Sequence, residues 1–155
     1  MRGRLVQATV LFVVLLASAQ LVRPDRTNPT IDPTRTIRAH VVETSPLPAV
    51  LDRSCGECHS NSTTWPSYAQ IAPVSWVLAR AVAEGRRAVN YSEWGDYSPG
   101  QQRTLMAASC DDASTGRMPG GAWTLLHPEA RLSSEDVETI CAAARQVDTN
   151  RAEQR

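Results

Sequence analysis

The chain has 155 residues, with 16 basic and 16 acidic side chains that cancel to zero formal charge. That length suits one domain plus an extension, and the balanced charge supplies no clustered basic face of the kind nucleic acid requires. The 42% hydrophobic fraction is concentrated partly at the N-terminus, so the remaining domain has little apolar material for a core.

Arg2 and Arg4 precede an apolar run over residues 5–22, densest from Val10 to Leu16. A basic start before such a run reads as a signal peptide or a single membrane anchor over residues 1–22. Ala17-Ser18-Ala19 offers an A-x-A cleavage site, which favours removal. The length of the run, near the lower limit for spanning a bilayer, allows retention. A buried core helix fits poorly behind two arginines at the extreme N-terminus. Either way the rest of the chain is expected outside the cytoplasm, in the periplasm or another extracytoplasmic space, anchored by residues 5–22 if they are kept. Residues 23–45 are rich in Pro, Thr, Asp and Arg without an apolar period, which predicts an extended tether or a wrapped arm.

Residues 46–148 read as helices joined by loops, with no run of alternating strand residues; the predicted fold class is all-α. A first helix starts near Pro48, with Val50 and Leu51 on its apolar side, and runs into Cys55-Gly56-Glu57-Cys58-His59. This C-x-x-C-H run is the attachment signature of c-type haem. Two thiols can form thioethers to the porphyrin vinyl groups, and the adjacent imidazole can bind the iron. Cys55 and Cys58 at i,i+3, with His59 at i+4, share one helix face. With 4 Cys and 3 His, such a run arises in roughly one in several hundred shuffled sequences. The rival readings are weaker. A thioredoxin-like redox centre needs a βαβ context, a zinc knuckle needs a second ligand pair at short spacing, and a plain disulfide leaves His59 without a role. Covalent haem attachment and export agree, because attachment takes place outside the bacterial cytoplasmic membrane.

Pro73 to Gly85 is the clearest helix: Pro73 suits its first position, Val74, Val77, Leu78, Ala81 and Val82 define one apolar face, and Gly85 offers a left-handed C-cap. A third helix starts at Ser98-Pro99-Gly100-Gln101, a capping box, with Leu105 and Met106 apolar and Cys110 near its end. A fourth begins at Ser133, with Asp136 three residues on and a Leu132–Val137 staple; Val137, Ile140, Cys141 and Ala144 line its face. From about Thr149 the chain is polar and expected to fray as a tail over residues 149–155. For Cys110 and Cys141, a disulfide, favoured by an oxidising compartment, and two small buried thiols stand as equal readings.

Haem iron in electron-transfer proteins often takes a Met opposite the His. Met1 is excluded by position and Met106 falls in a predicted core helix. Met118 lies in Thr115-Gly116-Arg117-Met118-Pro119-Gly120-Gly121, a loop by its glycines and restrained by its proline, and is the preferred second ligand. His127, His40, Met106 and an open site are the competitors. A haem would also compensate for the small core, so the haem-free domain is expected to be loosely packed or unfolded.

Longer fragments carry a resemblance. C-G-E-C-H-S-N-S-T-T-W-P-S-Y at 55–68, I-A-P-V-S-W at 71–76, G-R at 85–86, N-Y-S-E-W at 90–94, M-P at 118–119 and L-H-P-E-A-R-L-S at 126–133 resemble the bacterial haem-binding domain family of small, exported, cytochrome c-like proteins. Asp25 to Pro29 after a hydrophobic segment is similar too. The resemblance implies one covalent haem c, a cytochrome c-like helical fold and an extracytoplasmic location. It carries over Cys55, Cys58 and His59, with Met118 as distal ligand, so the iron is held by His59 and Met118. Trp65, Tyr68, Trp76 and Trp94 are candidates for the pocket wall, each with simple packing as the blander reading. Arg86 and Arg87 are candidates for propionate pairing against a solvated state, and Asn61 and Ser62 for capping the turn after the motif.

The leading functional expectation is a monohaem cytochrome, an electron carrier rather than an enzyme, with transient redox partners and contact with the membrane through an uncleaved N-terminus. The alternative is a haem-based sensor or peroxidase-like protein with a displaceable sixth ligand, although no distal acid–base constellation is apparent. A non-haem membrane-tethered interaction module with a structural disulfide is the third reading.

Overall fold

The computed structural model describes the backbone of residues 1–152 and the side chains of residues 1–147. Among the described residues there is no strand; seven α-helices alternate with short 3-10 turns, and the fold is all-α. Helix α1, Arg2–Ala19, has no buried residue and is long and apolar enough to cross a membrane.

The segment after α1 is a wrapped arm. The Arg26 guanidinium donates to the Ala69 carbonyl and the Asn28 amide to the Thr63 carbonyl. Asp32 caps a turn at Pro33–Arg35, and a second turn at Ile37–His40 delivers Ile37 into the core. The arm packs on the turn at Tyr91–Asp96, where a Cβ at Gly95 would stand 2.7 Å from His40 Nε2 and 3.3 Å from the Arg35 Cα. Hydrogen bonds to backbone and one buried isoleucine hold this segment, which explains why it shows no apolar period.

Helix α2, Leu47–Ser54, buries Leu47, Val50 and Leu51. It does not continue into the C-x-x-C-H run. Cys55 leaves helical geometry (φ −123°, ψ −31°) and its carbonyl accepts from both Cys58 and His59, starting a new turn, α3, Gly56–His59.

Helix α4 spans Val74–Ala88, with Pro73 as its N-cap, one position before the first-turn place expected of it. Two expectations are corrected here. Gly85 lies inside the helix, three residues short of its end. Its missing Cβ lets the Cys58 backbone approach: a Cβ there would be 2.4 Å from the Cys58 carbonyl oxygen. The buried face is accordingly rotated to Ser75, Val82 and Gly85, and Val74 and Val77 face outward. Small residues are inside because α3 presses on this helix.

Helix α5, Pro99–Ser114, begins with the predicted Ser98–Gln101 capping box. It pairs with α7, Ser134–Ala152, through a Cys110–Cys141 disulfide with Cα atoms 4.8 Å apart. Ser133 and Asp136 exchange hydrogen bonds at the start of α7, and Asp136 also pairs with Arg53 of α2 at 2.7 Å. Between α5 and α7 lies α6, Gly121–Leu126, a short helix not anticipated from sequence. The side chains of the polar tail expected from Thr149, and residues 153–155 altogether, lie outside the described residues. Leu47, Leu51, Met106 and Ile140 form the fully buried centre, where α2, α5 and α7 meet.

Candidate functional site

Beside that centre is a mostly apolar cleft that opens to solvent. Cys55, Cys58, His59 and Met118 all line it. Leu51, Val89, Tyr91, Ala113 and Ile140 belong both to its wall and to the core, so the cleft is an unfinished side of the core.

The C-x-x-C-H turn is fixed from below. Ser60 Oγ donates to the Gly56 carbonyl at 2.7 Å and Thr63 Oγ1 to the Glu57 carbonyl at 2.8 Å. Asn61 and Asn90 are buried and joined at 2.8 Å, and the Asn61 N–H donates to Ser92 Oγ. The expected cap at Asn61 and Ser62 is thus a wider polar network. Arg86 is its hub, donating to the carbonyls of Ser60 and Thr27, to Asn28 Oδ1 and to Thr63 Oγ1. This guanidinium braces the turn against the arm, and Arg86 is not among the residues that line the cleft. Arg87 is exposed.

His59 is oriented by one contact. Its Nδ1 is 3.2 Å from the Val89 carbonyl. A carbonyl only accepts, so Nδ1 carries the proton and Nε2 keeps its lone pair. Burial holds the imidazole below its ordinary pKa, against the opposing pull of the Val89 and Gly85 carbonyls, so the ring is neutral at pH 7. That is the tautomer a metal-binding histidine needs. Burial pushes the Cys55 thiol up to about 12, with Cys58 adding to the shift and Arg53 opposing it. Cys58 is raised as well, first by burial and then by the Glu57 charge. Neither sulfur has the depressed pKa of a thiol–disulfide exchange centre, and the two remain free thiols.

Another part of the cleft wall is built by the end of α5. Gly116 adopts φ 68°, and the Gly116 and Arg117 N–H groups return to the carbonyls of Ala113 and Asp112. This is a Schellman ending, which requires a residue without a Cβ penalty at the left-handed position. The Met118 N–H also reaches the Asp112 carbonyl, and Arg117 pairs with Asp111 and Asp112. The loop is therefore launched at a set angle, and Met118 lies half exposed (47%) at the rim.

The competing ligands lie elsewhere. Met106 is buried in the core, and His40 lines a separate depression with Ile37 and Trp94. His127 is held by the Tyr68 hydroxyl and by Glu129, and stacks on Trp123 at 3.8 Å. Of the aromatics singled out in the sequence, Trp94 is core, Trp76 donates to the Val22 carbonyl, Tyr68 holds His127, and Trp65 lies in a small separate cavity with Trp123. The aromatics on the cleft wall are Tyr91 and Trp123. Tyr91 is visible within N-Y-S-E-W; Trp123 carries no signal in the sequence.

The donor set fits a haem. A wall of aliphatic and aromatic side chains suits an apolar macrocycle, the thiols and His59 Nε2 share that wall, and Ser54 Oγ is buried at it without a hydrogen-bond partner. Residues 14–146 match the family model described as "Haem-binding domain". No curated protein and no solved structure matches the chain.

Proposed function

This chain belongs to the haem-binding domain family, and from that premise we propose that it is a monohaem c-type cytochrome transferring single electrons outside the cytoplasmic membrane. The observation that carries this reading is the convergence of Cys55, Cys58, His59 and Met118 on one apolar cleft. Cys55 and Cys58 would hold one haem c through thioethers, with His59 as proximal and Met118 as distal ligand. When bound, the haem supplies a one-electron ferric–ferrous couple.

The chain's own residues do the rest. The Val89 carbonyl fixes the His59 ring and leaves Nε2 free to coordinate. Leu51, Tyr91, Leu105, Trp123 and Ile140 exclude water, which tunes the potential. The Schellman ending at Gly116 would present the Met118 thioether to the iron. With His59 and Met118 both bound to it, the iron would have no position left for substrate. Redox partners would dock transiently at the open rim through a small contact.

The half-exposed Met118 favours one second reading, a sensor or peroxidase-like protein in which that ligand leaves. Carbon monoxide separates the two. Protein matured with the haem-attachment machinery should show covalent haem by intact mass and pyridine haemochrome, a far-red methionine–ferric haem band, and no tight carbon monoxide binding. Met118→Ala should lose the band and gain carbon monoxide binding. Tight binding by the wild-type protein would move the assignment to the second reading.

A further inference from the structure

The outer surface of α4 changes character along its length. Its first turn and approach expose Ile71, Val74, Trp76 and Val77, the last at 66%. The next turns expose the Arg80–Glu84 ion pair, Ala83 and Arg87. Exposed large apolar groups gathered on one side mark an interaction surface. Nothing in the cleft or in its ligand set uses this patch.

The end of α1 meets it directly. The Gln20 carboxamide bonds both polar groups of the Ala72 backbone, accepting from its N–H at 2.9 Å and donating to its carbonyl at 3.3 Å. The Trp76 indole N–H donates to the Val22 carbonyl at 2.8 Å. Helix α1 has 18 residues, about 27 Å at the rise of an α-helix, which is close to the thickness of a bilayer's hydrocarbon core. With Arg2 and Arg4 at one face of the bilayer, Gln20 to Arg23 falls at the other. The bonds to Ala72 and Trp76 then hold the start of α4 at headgroup depth. The patch has the composition of an interfacial anchor: a tryptophan with its polar edge satisfied, three aliphatic side chains, and the exposed Arg23 alongside to meet lipid phosphate.

We infer that Ile71, Val74, Trp76 and Val77 insert into the bilayer interface, so that the domain lies on the membrane in one orientation set by the Gln20–Ala72 and Trp76–Val22 bonds. The inference rests on the exported, membrane-anchored reading with α1 retained. A freely swinging domain has no use for these contacts. A seated one presents its cleft at a constant angle to membrane-bound redox partners.

The test uses the full-length haem-loaded protein in phosphatidylethanolamine–phosphatidylglycerol vesicles. The proposed haem occupies Cys55 and Cys58, and the disulfide occupies Cys110 and Cys141, so an introduced cysteine is the one reactive thiol. Bimane is attached at Val77→Cys or, about 9 Å further along α4, at Ala83→Cys; both positions are exposed, so neither substitution threatens folding. Brominated acyl chains should quench the label at position 77 and not at 83, with aqueous iodide showing the opposite preference. Equal iodide quenching at the two positions overturns the inference. Iodide protection at 77 without bromolipid quenching, together with a cross-linked dimer of Val77→Cys, assigns the face to a second copy and also overturns it. An intact mass lacking α1 in soluble material does the same. Haem content read on the same sample by pyridine haemochrome keeps these outcomes separate from failure of the cytochrome assignment.

Discussion

Gly85→Ala pits two physical effects of opposite sign against each other. In an isolated helix, replacing an interior glycine by alanine stabilises by about 1 kcal/mol. In this protein the added Cβ would meet the Cys58 carbonyl oxygen at 2.4 Å, its carbonyl carbon at 3.0 Å and its Cβ at 3.1 Å. Two of the three obstacles are backbone atoms of the proposed haem-attachment turn, so no side-chain rotation relieves the contact. Ordinary contact begins near 3.4 Å, and α4 must retreat from α3 by about 1 Å. Overpacking of this kind costs about 1–3 kcal/mol. Because the obstacles are backbone atoms, the upper part of that range, about 2–3 kcal/mol, applies; set against the propensity gain of about 1 kcal/mol, the net expectation is a loss of about 1–2 kcal/mol. For a domain of this size that lowers the urea midpoint by about 0.5–1 M. The Val89 carbonyl that orients His59 lies one turn beyond Gly85 on the same stretch of chain, so the far-red methionine–haem band should weaken in parallel. Equilibrium urea unfolding of haem-loaded wild type and variant, followed by far-ultraviolet circular dichroism, decides the matter. A midpoint equal to or above wild type would mean that helix propensity wins and that the close approach of α4 to the C-x-x-C-H turn plays no part in holding it.

Gly116→Ala should destabilise by about 1–2 kcal/mol, because its left-handed φ is costly for any residue with a Cβ. It should also raise carbon monoxide binding by loosening the loop that presents Met118; a variant with wild-type stability and no carbon monoxide binding would refute the role given to the Schellman ending. Replacing Cys110 and Cys141 together by serine opens a loop closed across a separation of 31 residues, for which chain entropy predicts a loss of about 3–4 kcal/mol. The urea midpoint of the double variant measures it, and a change below about 1 kcal/mol would show that α5 and α7 are held by packing alone.

What the sequence disclosed was local. The capping boxes at Ser98 and Ser133 and the proline before α4 are written in adjacent residues, and those helices begin where they were expected. The C-x-x-C-H run places its own three side chains on one wall because the spacing does so. What stayed hidden was set by contacts between distant segments. The periodicity of Val74, Val77 and Val82 names an apolar face, yet the face turned inward carries Ser75 and Gly85, since α3 leaves room only for small groups. Val74 and Val77 look like core and are surface. The arm reads as a tether because carbonyl-directed hydrogen bonds from Arg26, Asn28 and Arg86 have no period. Arg86 could be given any charged partner from sequence, and only the geometry shows it bonded to Ser60 and Thr27. Trp123, on a short helix without a cap signal, was not separable from an ordinary loop tryptophan.

The sharing of residues between core and cleft leads to a last prediction. Leu51, Val89, Tyr91, Ala113 and Ile140 have one side against the fully buried centre and the other against the cleft. Their packing on the cleft side therefore depends on what fills it. The phenol of Tyr91 is anchored by Ser109 at 2.9 Å, and burial raises its pKa, so it stays neutral and cannot open the wall by ionising. With a haem seated, the wall becomes the middle of a larger core and each of these side chains gains packing on its second side. Without one, the same side chains keep their core contacts but lack packing on the cleft side. Haem-free protein, prepared as Cys55→Ser with Cys58→Ser, should bind a hydrophobic dye such as anilinonaphthalene sulfonate and unfold at a lower urea midpoint than the haem-loaded protein, with a broader transition. The disulfide lies between α5 and α7 and the Arg86 network lies under α3, so helix content should fall less than tertiary order. Near-ultraviolet circular dichroism, which reports fixed aromatic side chains, would register that loss. A haem-free protein matching the loaded one in midpoint, dye binding and near-ultraviolet signal would show that the core is complete without an occupant, and the cleft would then be a surface feature instead of the missing half of the fold.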